Sequence, residues 1–130
     1  LFNRQLVMIK NLIPIISVAA SLSQGTTVIK NAERLRIKES DRLTTTRIVL
    51  EELGAKIIEK PDGLIIEGVA VLKGGRVSGY NDHRIVMAVA AASAVSKGVV
   101  EISGSEAIKK SYPDFWKDFA AIGGKVKIYE

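Results

Sequence analysis

Apolar residues fall into two periods along the 130-residue chain, and the changes of period outline its elements. Leu12 to Ser23 is apolar at helical density, with Pro14 admissible in the first turn and Gly25 as the stop. Thr26-Thr27-Val28-Ile29 is β-branched and predicts a strand. A polar loop from Asn31 to Glu39 carries Arg34, Arg36 and Lys38. Leu43, Val49, Leu50 and Leu53 then recur at helical spacing, which predicts a helix from about Ser40, as N-cap, to Leu53 before Gly54. Ala55–Glu59 and Leu64–Glu67 flank Pro61-Asp62-Gly63 and read as a hairpin.

Val69 to Val77 holds one or two short strands around Gly74-Gly75. Asn81 or Asp82 caps an alanine-rich, buried helix that runs to about Ser96, with Lys97-Gly98 as its end. Val99 to Ile102 is a strand, and Lys109 to Asp114 a loop. Pro113 suits the first turn of a helix ending near Ile122, and Lys125 to Tyr129 reads as a closing strand after Gly123-Gly124. Residues 1–10 carry no clear pattern.

The order helix, glycine, strand, polar loop, helix, glycine, lysine, strand occurs from Leu12 to Glu59 and again from Asp82 to Tyr129. Gly25 matches Gly98, and Ser40-Asp41 matches Pro113-Asp114, both at an offset of 73. This implies a mixed α/β (α+β) fold containing a duplicated supersecondary unit, not a short-period solenoid.

Composition narrows the chemistry. The absence of cysteine excludes disulfides and thiolate metal sites, and a single histidine leaves little room for zinc. No apolar run approaches the roughly 18 residues that span a membrane. The start, Leu1-Phe2-Asn3-Arg4, lacks the order of a signal peptide and an initiator Met, so a piece of a longer protein is expected. A net charge of +5 and a pI of about 9.6 favour an anionic partner.

Candidate chemistry clusters at helix starts, whose unpaired N–H groups attract anions. One loop holds Lys38, Glu39 and Arg42, the second Asp82, His83 and Arg84, the third Lys109 and Lys110. Each also has an ordinary reading: solvated caps with weak surface pairs, a packing histidine, surface lysines. What favours a site is Glu39, since an acid among cations suits proton transfer beside a bound anion better than anion binding alone. Tyr112, Phe115 and Trp116 read as helix packing rather than base stacking.

Leu35-Arg36-Ile37-Lys38-Glu39-Ser40-Asp41-Arg42, Asn81-Asp82-His83-Arg84, Lys110-Ser111-Tyr112-Pro113 and the run Ile13 to Asn31 carry a resemblance over nearly the whole chain. In order and spacing they resemble the C-terminal part of the 5-enolpyruvylshikimate-3-phosphate synthases (3-phosphoshikimate 1-carboxyvinyltransferases). The resemblance implies transfer of the carboxyvinyl group of phosphoenolpyruvate to the 5-hydroxyl of shikimate 3-phosphate, with release of phosphate, in aromatic amino acid biosynthesis. It implies a cytoplasmic enzyme, a monomer when full length, that needs no metal or organic cofactor and binds no nucleic acid or membrane. Carried over by position, Arg42, Arg84 and Lys110 bind phosphoenolpyruvate, His83 lies beside it, and Lys38 contacts shikimate 3-phosphate near the transferring groups. Glu39 matches the acid that protonates the methylene carbon.

Two departures stand out. The family's aspartate base falls at Asn11, which can hydrogen-bond a hydroxyl but cannot accept its proton. The family also has two domains of three mixed units each. This chain would hold two βαβαββ-type units, about 12–67 and 76–130, of an incomplete second domain, with the N-terminal domain absent and no activity alone. The competing reading is a basic anion- or nucleic-acid-binding module without catalysis. Against nucleic acid, Glu39 and Asp82 stand among the cations, and no basic stripe with interleaved aromatics is present.

Overall fold

The computed structural model describes residues 3–6 and 12–129, with side chains from Leu12 onward. α1 (Ile13–Ser21) opens with Pro14, where a missing N–H leaves no bond unmade. Its buried face includes two serines. Ser17 and Ser21 donate to the carbonyls of Ile13 and Ser17, each at 2.7 Å, so neither hydroxyl is orphaned.

β2 (Thr26–Ile29) lies between β1 (Asn3–Leu6), which it pairs in parallel, and β4 (Gly63–Glu67), antiparallel. β3 (Lys56–Lys60) closes the hairpin with β4 through Pro61-Asp62, giving a four-stranded sheet of order β1-β2-β4-β3. β5 (Leu72–Ser78) and β6 (Ser96–Ser103) form a separate parallel pair, and α3 (His83–Val95) is the crossover that parallel pairing demands. α2 (Arg42–Glu52) touches α1, α3, β3, β4 and β5, so it ties the two sheets together. Leu43, Leu50, Leu53, Leu64, Ile66, Leu72 and Ile85 are fully buried where these elements meet. Leu35, also fully buried, pins a 3-10 helix over Glu33–Ile37 to that core. A second 3-10 helix, Ser105–Lys110, and α4 (Phe115–Ala121) pack on α3 through Val86, Ala107, Ile108, Phe115 and Trp116.

Several expectations are corrected. Ser40 does not cap α2: Asp41, in an extended conformation, accepts from the Thr44 N–H, and Ser40 turns inward instead. α3 ends at Val95 and β6 starts at once, so Gly98 lies inside a strand rather than at a helix end. Its φ of +105° and its close approach to Gly74, where the β5–β6 register shifts, explain both glycines. α4 begins at Phe115, beyond Pro113. Lys125–Tyr129 is not a strand; Ile128 and Tyr129 are exposed, and no described strand pairs with the segment.

The β2–β4 contact is tight enough to test. A Cβ added at Gly63 would lie 1.7 Å from the Ile29 carbonyl oxygen, so Gly63→Ala must push the strands apart. We expect a loss of about 1–3 kcal/mol in urea unfolding, the usual cost of overpacking. An unchanged midpoint would show that the hairpin can shift freely.

Candidate functional site

The loop before α2 and the turn before α3 meet at one buried ion pair. Arg42 is the first residue of α2 and Asp82 the N-cap of α3, with 3% and 0% of their surfaces exposed. Arg42 Nε donates to Asp82 Oδ2 at 2.9 Å and Nη2 to Oδ1 at 3.1 Å, the two-pronged geometry that suits a guanidinium and a carboxylate. Ser40 Oγ adds a bond to Asp82 Oδ2 at 2.7 Å, and the Arg84 N–H caps Oδ1 at 3.0 Å. Burial pushes the Asp82 carboxyl up. The bonds from Arg42 and Ser40, the Arg42 charge and the Arg84 N–H outweigh it and hold the group below the usual carboxylate range.

Arg42 Nη2 also donates to Glu39, whose side chain is 44% exposed. Glu39 therefore sits at the rim, with one side on the buried guanidinium and the other open. His83 begins α3, half-buried, and its ring comes within 4.8 Å of a carboxylate oxygen of Glu39 and one of Asp82. His83 Nδ1 is buried without a hydrogen-bond partner among the described residues. The three groups are close enough to hold a cation, but Arg42 already occupies both carboxylates, so a metal would have to displace a guanidinium.

The third loop reaches the same place. Lys110 Nζ donates to the Asn81 carbonyl at 2.9 Å. Asn81 and the preceding Tyr80 both have φ of +52°, a left-handed conformation costing about 1–3 kcal/mol for each residue. The turn is closed by the Asp82 N–H on the Gly79 carbonyl at 3.0 Å and the Tyr80 N–H on Ser78 Oγ at 3.0 Å. Its strained backbone presents Asn81 to Lys110 on one side and Asp82 to Arg42 on the other.

Of the residues singled out in the sequence, Glu39, Arg42, His83 and Lys110 thus gather around the Asn81–Asp82 turn. Arg84 contributes its backbone, and its side chain is half-buried. Lys38 is exposed beside Glu39. Asn11 lies outside the described residues. The sequence reads Ser40 only as a cap, and Asp82 as a cap and a member of the second polar loop, but neither as a partner in a buried pair with Arg42. The available signal was an aspartate beside cations, whose charge needs a partner once buried. A groove of about 1030 Å³ lies elsewhere, between β5–β6, α4 and residues 125–129. Its cations, Arg76, Lys125 and Lys127, are exposed, and Arg76 is already paired with Glu101 at 2.8 Å, so the polar cluster with its buried guanidinium is the better site candidate.

A family model described as EPSP synthase (3-phosphoshikimate 1-carboxyvinyltransferase) matches residues 4–119. The 3-phosphoshikimate 1-carboxyvinyltransferase of Clostridium acetobutylicum is 54% identical over 116 residues, 89% of this chain and 27% of that protein. That of Clostridium kluyveri is 52% identical over the same shares. An EPSP synthase structure from Acinetobacter baumannii superposes with a TM-score of 0.87 at 28% identity, covering 98% of this chain and 32% of that one. The chain thus spans about a quarter of the length of these curated relatives.

Asp82→Asn should leave the buried Arg42 charge with only the half-exposed Glu39 as partner, at a cost of up to about 3–5 kcal/mol near neutral pH. Because folding depresses the Asp82 carboxyl, its stabilisation is complete above the unfolded carboxyl range, about pH 4, and is lost as pH falls through the lower folded value. Urea unfolding from pH 7 to 2 should show the gap between the two proteins narrowing on the acid side. A gap independent of pH would mean that Asp82 does not act through its charge.

Proposed function

The chain belongs to the EPSP synthase family, and from that premise we propose that it supplies part of the active site of a longer enolpyruvyl transferase. The whole protein would transfer the carboxyvinyl group of phosphoenolpyruvate to the 5-hydroxyl of shikimate 3-phosphate and release phosphate. The observation that carries this reading is Glu39 held on Arg42 at the rim of a cation cluster drawn from three loops.

The proposed roles follow from charge. Asp82 neutralises Arg42, so the buried guanidinium contributes directed donors rather than net attraction. Net attraction would fall to Lys38, Arg84 and Lys110, with phosphoenolpyruvate against Arg42, Arg84, Lys110 and His83, and shikimate 3-phosphate against Lys38. An anion reaching Arg42 competes with Glu39 for Nη2. The displaced carboxyl then faces the ligand, where, once protonated, it can deliver a proton to the methylene carbon. As that proton arrives, the 5-hydroxyl oxygen bonds to the adjacent carbon and its own proton leaves to solvent, giving a tetrahedral adduct that bears a methyl group and both oxygens; phosphate then leaves as a methyl proton returns to the Glu39 carboxylate, which restores the double bond of the enolpyruvyl ether. Asn11 stands where the base is expected; it would orient the hydroxyl without taking its proton. None of these steps calls for a metal or organic cofactor.

The domain reading belongs to the same proposal. Two units, about 12–67 and 76–130, would form part of one domain facing a separate N-terminal domain, in a monomeric cytoplasmic enzyme. A parallel strand–helix–strand crossover occurs twice, β1·β2 around α1 and β5·β6 around α3, which supports two units, although β1 and the start of β5 precede those bounds. No described helix is long and apolar enough to cross a membrane. The pairing of both carboxylates with Arg42 weakens the nucleic-acid alternative, since Arg42 brings no net positive charge to a phosphate backbone.

Half a site cannot orient two substrates, so the isolated chain should release no phosphate from the substrate pair. Turnover near 1 per second or faster, within the usual enzyme range, would overturn the proposal. In the longer protein, Glu39→Gln should keep the fold and lower kcat by roughly 10²–10⁴, the worth of a positioned acid. Asn11→Asp should raise the rate; no change there beside a dead Glu39→Gln would remove Asn11 from the base position.

A further inference from the structure

The loop bearing Lys38 and Glu39 is preceded by an arginine whose side chain turns to the β3–β4 hairpin rather than to Arg42 and Asp82. Arg36, near the end of the first 3-10 helix, sends Nε to the Pro61 carbonyl at 2.9 Å and Nη2 to the Lys60 carbonyl at 2.8 Å. Its Nη1 reaches Asp41 Oδ2 and Glu59 Oε2, each at 2.9 Å, and Thr44 Oγ1 at 3.3 Å. One guanidinium thus joins the start of the loop, the N-cap of α2 after it and the β3–β4 turn. Lys38 and Glu39 are exposed residues in the span it closes.

Glu59 is the other half of the clamp. Besides Arg36 it accepts from Thr44 Oγ1 at 2.8 Å and from Arg47 Nε at 2.8 Å, so β3 is bound to α2 at two levels. Burial raises the Glu59 carboxyl, and the bonds from Arg47, Thr44 and Arg36 outweigh it, leaving it lowered and ionised. Arg36 can hold these partners at once because its donors are spread over a rigid planar fork, which lysine lacks.

We propose that Arg36 and Glu59 form a positioning pair that holds the Lys38–Glu39 loop at a fixed separation from Arg42. The inference rests on the reading of Glu39 as the proton donor. Neither residue need touch a substrate. Leu35 is buried on one flank and Asp41 caps a helix on the other, and the clamp sets these two anchors relative to each other. A shift of about 1 Å in a reacting group can cost roughly 10²-fold in rate, which is what such a clamp would prevent.

The test has two arms. In this chain, backbone ¹⁵N order parameters at Lys38 and Glu39 should be near the rigid value of about 0.85 and fall below about 0.6 in Arg36→Lys, with α3 unchanged. A loop equally rigid in both proteins, or mobile in both, would overturn the proposal. In the longer protein, Arg36→Lys should lower kcat by about 10–100-fold with KM for phosphoenolpyruvate within about threefold. The cost of Glu39→Gln should then shrink at least about tenfold in the Arg36→Lys background, because a misplaced acid has less to lose. Additive costs would reduce the pair to a stabilising contact and refute the inference. Absence of turnover in the unmutated protein would instead refute the function, while the relaxation arm still decides whether the pair holds the loop. If Arg36→Lys does not fold, Glu59→Gln, which keeps shape and removes charge, is read by the same criteria.

Discussion

The pairing of Arg42 with Asp82 is the constraint to which the arrangement of this chain answers. It joins residues forty positions apart, at the starts of two helices, with almost no solvent contact. Taking two charges out of water costs several kcal/mol for each, and their attraction offsets this only when the geometry is good and the remaining lone pairs are used. Both conditions hold. The guanidinium meets the carboxylate along one edge, and Ser40 and the Arg84 N–H each use a further lone pair on an oxygen that Arg42 already holds. A buried pair of this kind is weak evidence of extra stability. It gains in relative orientation, because α2 and α3 cannot rotate independently without breaking it.

The strained turn follows from the same demand. A right-handed or extended residue at Tyr80 or Asn81 would aim Asp82 elsewhere, so two left-handed residues in succession are tolerated next to the ion pair. The Lys110 bond to the Asn81 carbonyl brings a third loop to that turn. The polar cluster is therefore not a set of surface charges drifting together. Its centre is locked, and its exposed cations, Lys38 and Lys110, are at the rim where a ligand would arrive.

Much of the fold was legible because it rests on local rules. The 3.6-residue and two-residue periods marked α1, α2, α3 and the β3–β4 hairpin, and Pro61-Asp62-Gly63 marked the turn. Where the reading erred, tertiary contacts overrode local preference. Ser40 is a good cap by type, yet its hydroxyl is worth more on the buried Asp82 carboxylate, and Asp41 takes the cap. Gly98 resembles a helix stop, yet it serves the close approach of β5 and β6. Residues 125–129 alternate as a strand should, but alternation fixes a face and supplies no partner. The site was legible in residue type and spacing, not in wiring. Nothing in the order of residues tells that Arg36 turns to Glu59 while Arg42 turns to Asp82, although both arginines stand in one eight-residue stretch.

That divergence lets a single short stretch be anchored at both ends while leaving Glu39 exposed between the anchors. Arg36 and Arg42 flank Lys38-Glu39 and point in different directions, one into the sheet and one into the helix interface. Each is paired with its own acid, so neither needs Glu39 to balance its charge. Glu39 is left as the one carboxylate of the cluster with a large exposed surface and a single strong partner. A group bound once can be released once, at the cost of one charge-assisted bond, without disturbing the pairs beneath it. Under the proposed function, an incoming anion would supply the replacement for that bond, and the buried Asp82 would keep Arg42 in place during the exchange.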